Sequence, residues 1–524
     1  MGQDDTADAL IIARDAGALA RRVARWAAYD GAWDDVVRAL ETGRAVVEQT
    51  RLRPDTAARL RALGEHTLAD AWESRGPAPS GSLAYRPGDP GRGLTIPDQL
   101  TARVARVLDA DAETRARDEP TVASVAAALR TVGAHALVYL LPSPAPDAKD
   151  MLERGAVLIT PGGSAEWVPL PAAPGDDEAL AGYVEALRAR TRPAADQDER
   201  AAVLARWRLA LAELAERTGR SQLAPLLQAL ARRCGRRTDG RHRVVLVPVG
   251  DLAFVPWAAA VLERGVPAVD RLVMTTVSAA RQLIAASALP RVGPAGDALL
   301  VNGLTGRQAS WAATGLLHEA VYPGAVVPTA DQATVPWLLG QLADERRRFT
   351  VVDIAAHLAA DVTESWRARV ELSGGGLTID RIGALDLAGG NEAGSAGGVC
   401  VSLACCASNI SLSHPDEGFT IASAFLAARA SAVIASLWPL ANATTGFLMT
   451  VFHYHLSVGR EPAEALRRAQ RWMRDPGRRA PGGFPEPLAR AFEDRVARVE
   501  ESLNRRGDSM SAPAHWAGVV HLGR

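Results

Sequence analysis

Two short apolar runs constrain this chain more than any other feature: Val351-Val352-Asp353-Ile354-Ala355-Ala356-His357 and Val399-Cys400-Val401-Ser402-Leu403-Ala404-Cys405-Cys406. Each is rich in β-branched or small apolar residues and ends abruptly in a side chain able to do chemistry. Buried parallel strands read this way, because helices cover both faces and functional residues collect at the carboxyl ends. A histidine and a cysteine at neighbouring strand ends make a thiol nucleophile and its base.

The same kind of run recurs at 136–141, 156–159, 243–249, 297–301, 431–437 and 518–522, so strands are expected there. Between them lie stretches with helical spacing at 121–129, 198–218, 222–233, 418–429, 442–457 and 461–474. Strands separated by helices imply right-handed crossovers and a largely parallel sheet. We therefore expect α/β architecture in two successive units, 96–290 and 291–524, sharing one continuous sheet.

Ahead of them, residues 6–73 read as a helical hairpin around Asp30-Gly31, with Val36, Val37, Leu40 and Val47 on one face. Residues 74–95, dense in Gly, Pro and Ser, read as a linker. The Pro- and Gly-containing stretch 474–487 reads as a surface loop.

Composition excludes some function classes. At 48% hydrophobic and 23% charged residues with a net charge of -1, the chain is globular and carries no electrostatic footprint for nucleic acid or an anionic membrane. No apolar window reaches a membrane span and no secretory signal is visible at the start. Four cysteines in 524 residues do not make a disulfide framework, so a cytoplasmic location is expected.

Several ordered motifs resemble the CHAT peptidase family, the caspase-like and separase-like group often fused to tetratricopeptide repeats. Val244 to Leu252 followed by Val255-Pro256-Trp257 looks like the family's strand-Pro-x-Gly-x-Leu signature. Ala355-Ala356-His357 looks like its histidine motif, and Ser402-Leu403-Ala404-Cys405 like its cysteine motif. Phe425 to Ala430, Ala435 to Pro439, Glu461 to Gln470 and His515 to Val520 look like the elements that follow.

The resemblance is strong over 240–524 and weaker over 120–240. It implies a caspase-like three-layer αβα sandwich, in which a non-catalytic pseudo-caspase half precedes a catalytic half and a short TPR-like helical segment precedes both. It implies a cysteine endopeptidase acting on a protein or peptide substrate in a bacterial defence or signalling circuit, under the control of a helical region or a regulatory protein partner. The chain departs from the family pattern at Leu358, where glycine is usual, at Cys406 and at Ser408.

In that chemistry Cys405 is the nucleophile and His357 the acid and base, with the backbone N–H groups of Cys405 and Leu358 as oxyanion donors. Read alone, Cys405 is a small buried hydrophobe at a strand end; the surrounding motifs favour the nucleophile. Alternation places Asp353 on the face of His357, where it orients a catalytic group, lines a specificity pocket or is a strand-edge charge. Asp416 and Glu417 either support the helix beginning near Gly418 or meet a basic substrate side chain, and Trp438 either walls the cleft or caps the core.

No metal or other cofactor is expected. Adjacent Cys405 and Cys406 are poor joint ligands even with His414 nearby, and Gly303 to Arg307 lacks the Lys of a phosphate loop. His453 and His455 suggest nothing catalytic. The competing readings are a catalytically silent CHAT-like protein-binding scaffold and an α/β hydrolase; the latter lacks a Gly-x-Ser-x-Gly elbow.

Overall fold

The computed structural model describes residues 17–42, 44, 60–61, 63–74, 103, 107, 119–144, 152–192, 195–235, 240–293, 297–304, 313–344, 346–359, 367–388, 397–412, 415–416, 418 and 420–524. The linker expected at 74–95 lies almost wholly outside them. The helical hairpin is present as α1 (17–29) and α2 (Trp33–Thr42), turned at Gly31 with φ of 72°. That left-handed value suits the residue without a Cβ.

The apolar runs form two five-stranded sheets. The first contains β1 (Ala136–Leu141), β2 (Gly155–Ile159), β3 (Ala165–Pro169), β4 (His242–Pro248) and β5 (Leu272–Thr276), in the order β3-β2-β1-β4-β5. Only β1, β4 and β5 run parallel; β2 and β3 are antiparallel additions. The second contains β6 (Ala298–Asn302), β7 (Val351–Ala355), β11 (Cys400–Leu403), β12 (Ala432–Ser436) and β13 (Val519–Gly523), in the order β13-β12-β11-β7-β6. All pairs are parallel except β12 with β13.

The expected continuous sheet is instead two sheets with edge strands side by side. β5 packs against β13, and the hydroxyl of Thr275 meets His521 Nδ1 at 2.9 Å across the seam. A third, small antiparallel sheet, absent from the sequence reading, joins β8 (His357–Ala359), β9 (Arg369–Leu372) and β10 (Gly375–Thr378).

Helices cover both faces and give three layers. On one side a single core spans both sheets. Ala136, Val138 and Leu140 of β1 join Leu300, Cys400 and Ile434 of the second sheet beneath helices 176–191, 197–218, 224–234, 442–457, 462–474 and 486–504. Trp207 and Trp438 meet in it with ring centroids 5.2 Å apart.

On the other side the sheets have separate covers. The first lies under α1, α2, helix 122–132 and helix 280–287; the second lies under helices 335–343, 379–383 and 421–427. Helices 176–191 and 486–504 were not foreseen. The second begins inside what reads as the end of a surface loop, because its opening Pro487 belongs to a helical first turn rather than a breaker.

Candidate active site

The carboxyl rim of the second sheet holds the two residues singled out from the sequence. β11 ends at Leu403, and the chain bends so that the Cys405 thiol donates to the Ile354 carbonyl at 3.4 Å. The Ala356 N–H also points at this sulfur. Cys405 thus rests on the backbone immediately preceding His357. β7 stops at Ala355, and His357 opens β8 as an exposed residue opposite Glu371 of β9.

The turn after Cys405 is fixed by strand β12. Ser436 Oγ donates to the Cys405 carbonyl at 2.8 Å, and the Ser436 N–H donates to Ser408 Oγ at 3.0 Å. Ala407 sits at φ of 52°, a left-handed conformation that costs an alanine about 1 kcal/mol and marks a tightly determined turn. Leu358 needs no such conformation. It lies in extended β8, partly buried, so its side chain replaces glycine without backbone strain.

The thiol is shut away in this state. Cys405 is 2% exposed, and burial pushes its pKa far up, with only the Ala356 N–H acting in the opposite direction. The adjoining cavity is about 20 Å³, walled by Leu304, Ala355, Cys406, Leu440 and Met449 among others, which is room for a water but not a peptide. Cys406 points elsewhere, toward the Leu440 carbonyl; burial raises its pKa too, while the Arg190 guanidinium works against that.

Two expectations, for Asp353 and Asp416, need correction, and the open choice at Trp438 falls to the core. Asp353 does not share a face with His357, because the strand breaks at Ala356 and alternation ends there. It points into the shared core, 0% exposed, where its Oδ1 accepts from Ser402 Oγ at 2.5 Å and lies 3.2 Å from His453 Nε2. His453 Nδ1 in turn meets the Tyr322 hydroxyl at 3.1 Å. A carboxylate so enclosed lines no specificity pocket.

Trp438 is fully buried, donating from Nε1 to the Ala514 carbonyl at 3.1 Å, and caps the core rather than walling a cleft. Asp416 does not support a helix: helix Ile421–Ala427 is capped by Thr420, with Ser423 completing a capping box. The Asp416 carboxylate instead meets Arg21 and Arg44, each at 2.9 Å, and accepts from the Gly250 N–H at 2.8 Å. Glu417 and His414 lie outside the described residues.

Sequence reasoning missed the Asp353-Ser402-His453-Tyr322 network and the Ser436 brace. Asp353 and Ser402 are direct cross-strand partners, but only knowing the register reveals it. Among the described residues no three His, Cys, Asp or Glu side chains gather as a metal site, and no helix is long and apolar enough to cross a membrane.

Residues 212–524 match the family profile of the CHAT domain. No curated protein matches the sequence. Among solved structures, similarity is found to separase in the Saccharomyces cerevisiae separase-securin complex, at 9% identity and a TM-score of 0.45 over 76% of this chain and 30% of that one. It is also found to the Arg-specific cysteine proteinase gingipain R, at 12% identity and a TM-score of 0.35 over 58% of this chain and 67% of that one. This chain therefore spans less than a third of the separase chain it resembles.

Proposed function

The chain belongs to the CHAT domain family, and from that premise we propose that it is a cysteine endopeptidase with Cys405 as nucleophile and His357 as acid and base. The observation carrying this reading is the seat of the Cys405 thiol on the backbone of residues 354–356, directly ahead of His357. Residues 291–524 serve as the catalytic half, 96–290 as a non-catalytic half, and 6–73 as a TPR-like segment.

In this mechanism the imidazole takes the thiol proton as sulfur attacks a peptide carbonyl. The tetrahedral oxyanion forms beside the N–H groups of Cys405 and Leu358, and loss of one such donor costs roughly 3 kcal/mol in the transition state. His357 then protonates the leaving amine, and water hydrolyses the thioester. The Ala356 N–H supports the sulfur as a thiolate before it attacks and again as it leaves in hydrolysis of the thioester. The substrate is a protein or peptide in a bacterial defence or signalling circuit of the cytoplasm, with a regulatory protein partner as a second ligand.

A non-catalytic scaffold is the second reading, favoured by the burial and raised pKa of the Cys405 thiol. The two are separated by comparing new protein N-termini in host cells carrying wild type or Cys405→Ala. Fragments present only with wild type support the peptidase. Identical N-termini together with intact biological activity of Cys405→Ala would leave the scaffold.

A further inference from the structure

The amino-terminal rim of the second sheet, opposite the rim that carries Cys405, holds a cavity of about 260 Å³. Phe349 leads into β7 and Val399 into β11, and with Val352 and Leu387 they form its apolar floor, all four buried in the second sheet's own core. At roughly 30 Å³ for each water, this is the volume of about nine waters, against a single one beside Cys405. It suits one small molecule and not a length of chain.

The walls are braced from both sides. On one, the Arg346 N–H donates to Asp344 Oδ1 at 2.9 Å just after helix Val335–Ala343, and the Arg347 guanidinium lies over the Phe349 ring at 5.3 Å while pairing with Asp297 at 3.0 Å. On the other, the Leu387 N–H donates to the Ala428 carbonyl at 2.8 Å, and the Arg429 guanidinium donates to both Asp386 carboxylate oxygens, at 2.9 and 3.1 Å. A cavity held in this way is largely preformed, as small-molecule sites are.

Four charged side chains line the cavity, and those pairs neutralise two of them, Arg347 through Asp297 and Asp386 through Arg429. The other two are Arg348 and Asp344. Among the described residues the half-buried Arg348 guanidinium has neither an ion pair nor a hydrogen bond, and the Asp344 carboxylate has only the Arg346 N–H. The cavity thus presents one uncompensated charge of each sign beside an apolar floor. A simple anion would be repelled by Asp344 and a simple cation by Arg348, whereas a compact zwitterion with a hydrocarbon body satisfies all three surfaces together.

We propose that this cavity binds a free α-amino acid with an apolar side chain: its carboxylate meets the Arg348 guanidinium, its ammonium the Asp344 carboxylate, and its side chain the floor of Phe349, Val352, Leu387 and Val399. A peptide does not meet the same description, because the chain separates its two terminal charges. Lying at the opposite rim, the site stands or falls independently of the peptidase reading of Cys405.

The test is calorimetric titration of the full chain with L-phenylalanine, with N-acetyl-L-phenylalanine, which lacks the ammonium, and with phenethylamine, which lacks the carboxylate. L-Phenylalanine is expected to saturate one site with a dissociation constant below about 1 mM, and each analogue to bind at least roughly tenfold more weakly. Arg348→Gln is expected to weaken L-phenylalanine by a similar factor. Asp344→Asn should weaken it too, yet tighten N-acetyl-L-phenylalanine by removing the repulsion. The comparison of three ligands on wild type needs no variant, and an unchanged urea midpoint shows that each variant is folded. Absence of saturable heat from both L-phenylalanine and L-leucine overturns the proposal. So does N-acetyl-L-phenylalanine binding as tightly as its parent, or an affinity for L-phenylalanine that Arg348→Gln leaves unchanged.

Discussion

The two five-stranded sheets share a parallel centre and a common core, yet their carboxyl rims differ. In the first, β1 leads to Pro142 and β4 to Pro248-Val249-Gly250, and the carbonyls of Pro142 and Pro248 are covered by Arg25 and Arg44 from the N-terminal segment. In the second, the equivalent ends deliver His357 and Cys405, and Asp416 in the loop beyond ties that rim to the same segment through Arg21 and Arg44. The scaffold is common; what distinguishes a closed rim from a chemically able one is which few residues follow the last strand position.

Removing the proposed nucleophile is the largest test of that difference. Cys405→Ala is expected to lower peptide cleavage at least about a thousandfold, as for other covalent nucleophiles, while Cys234→Ala at the other sheet's flank leaves it unchanged. Next comes stability. Asp353→Ala or His453→Ala strands polar partners in the core between β7, β11 and helix Asn442–Ser457, and is expected to cost about 3–5 kcal/mol in urea unfolding. A loss under about 1 kcal/mol would mean that the network does not fix the second sheet's register.

The seam supplies a pH test. Burial first, then Arg243, depress the pKa of His521 to about 3, whereas an unfolded histidine titrates near ~6.5. The folded state therefore refuses a proton that the unfolded state accepts. This stability is whole above about pH 6.5 and falls as pH drops from there toward 3, reaching a loss on the order of 3 kcal/mol by pH ~4.5. His521→Gln is expected to flatten that part of the stability profile; an unchanged slope would assign acid sensitivity elsewhere.

The smallest effect sharpens the comparison at the turn itself. Ser436→Ala removes the donor to the Cys405 carbonyl and is expected to cost about 1 kcal/mol of stability. The cleavage rate should fall by a larger factor than that destabilisation alone produces; matching losses would make Ser436 a fold residue only.

Much of this was legible because buried parallel strands are written as continuous apolar runs. Those at 136–141, 243–249, 351–355 and 400–403 read directly, and so did the residues just past their ends. β8 to β10 did not, because Arg369–Leu372 and Gly375–Thr378 carry too few apolar residues to announce strands. Asp353 was misassigned because period-two reasoning was carried through Ala356, where pairing switches from β11 to β9. Asp416 was unreadable for another reason: its partners Arg21 and Arg44 lie more than 370 residues away, and local pattern carries no information about such pairings.

The core that runs unbroken beneath both sheets also governs how the molecule could be divided. A fragment of 291–524 alone would carry Trp438 into water with Trp207 and its helix gone. Such a fragment would present a large sticky surface and tend to precipitate or recruit chaperones rather than behave as a minimal enzyme. By the same token, a protease nick among the helices that cover the first sheet would disturb the second sheet's rim at a distance, by removing one wall of the interior on which that sheet is built.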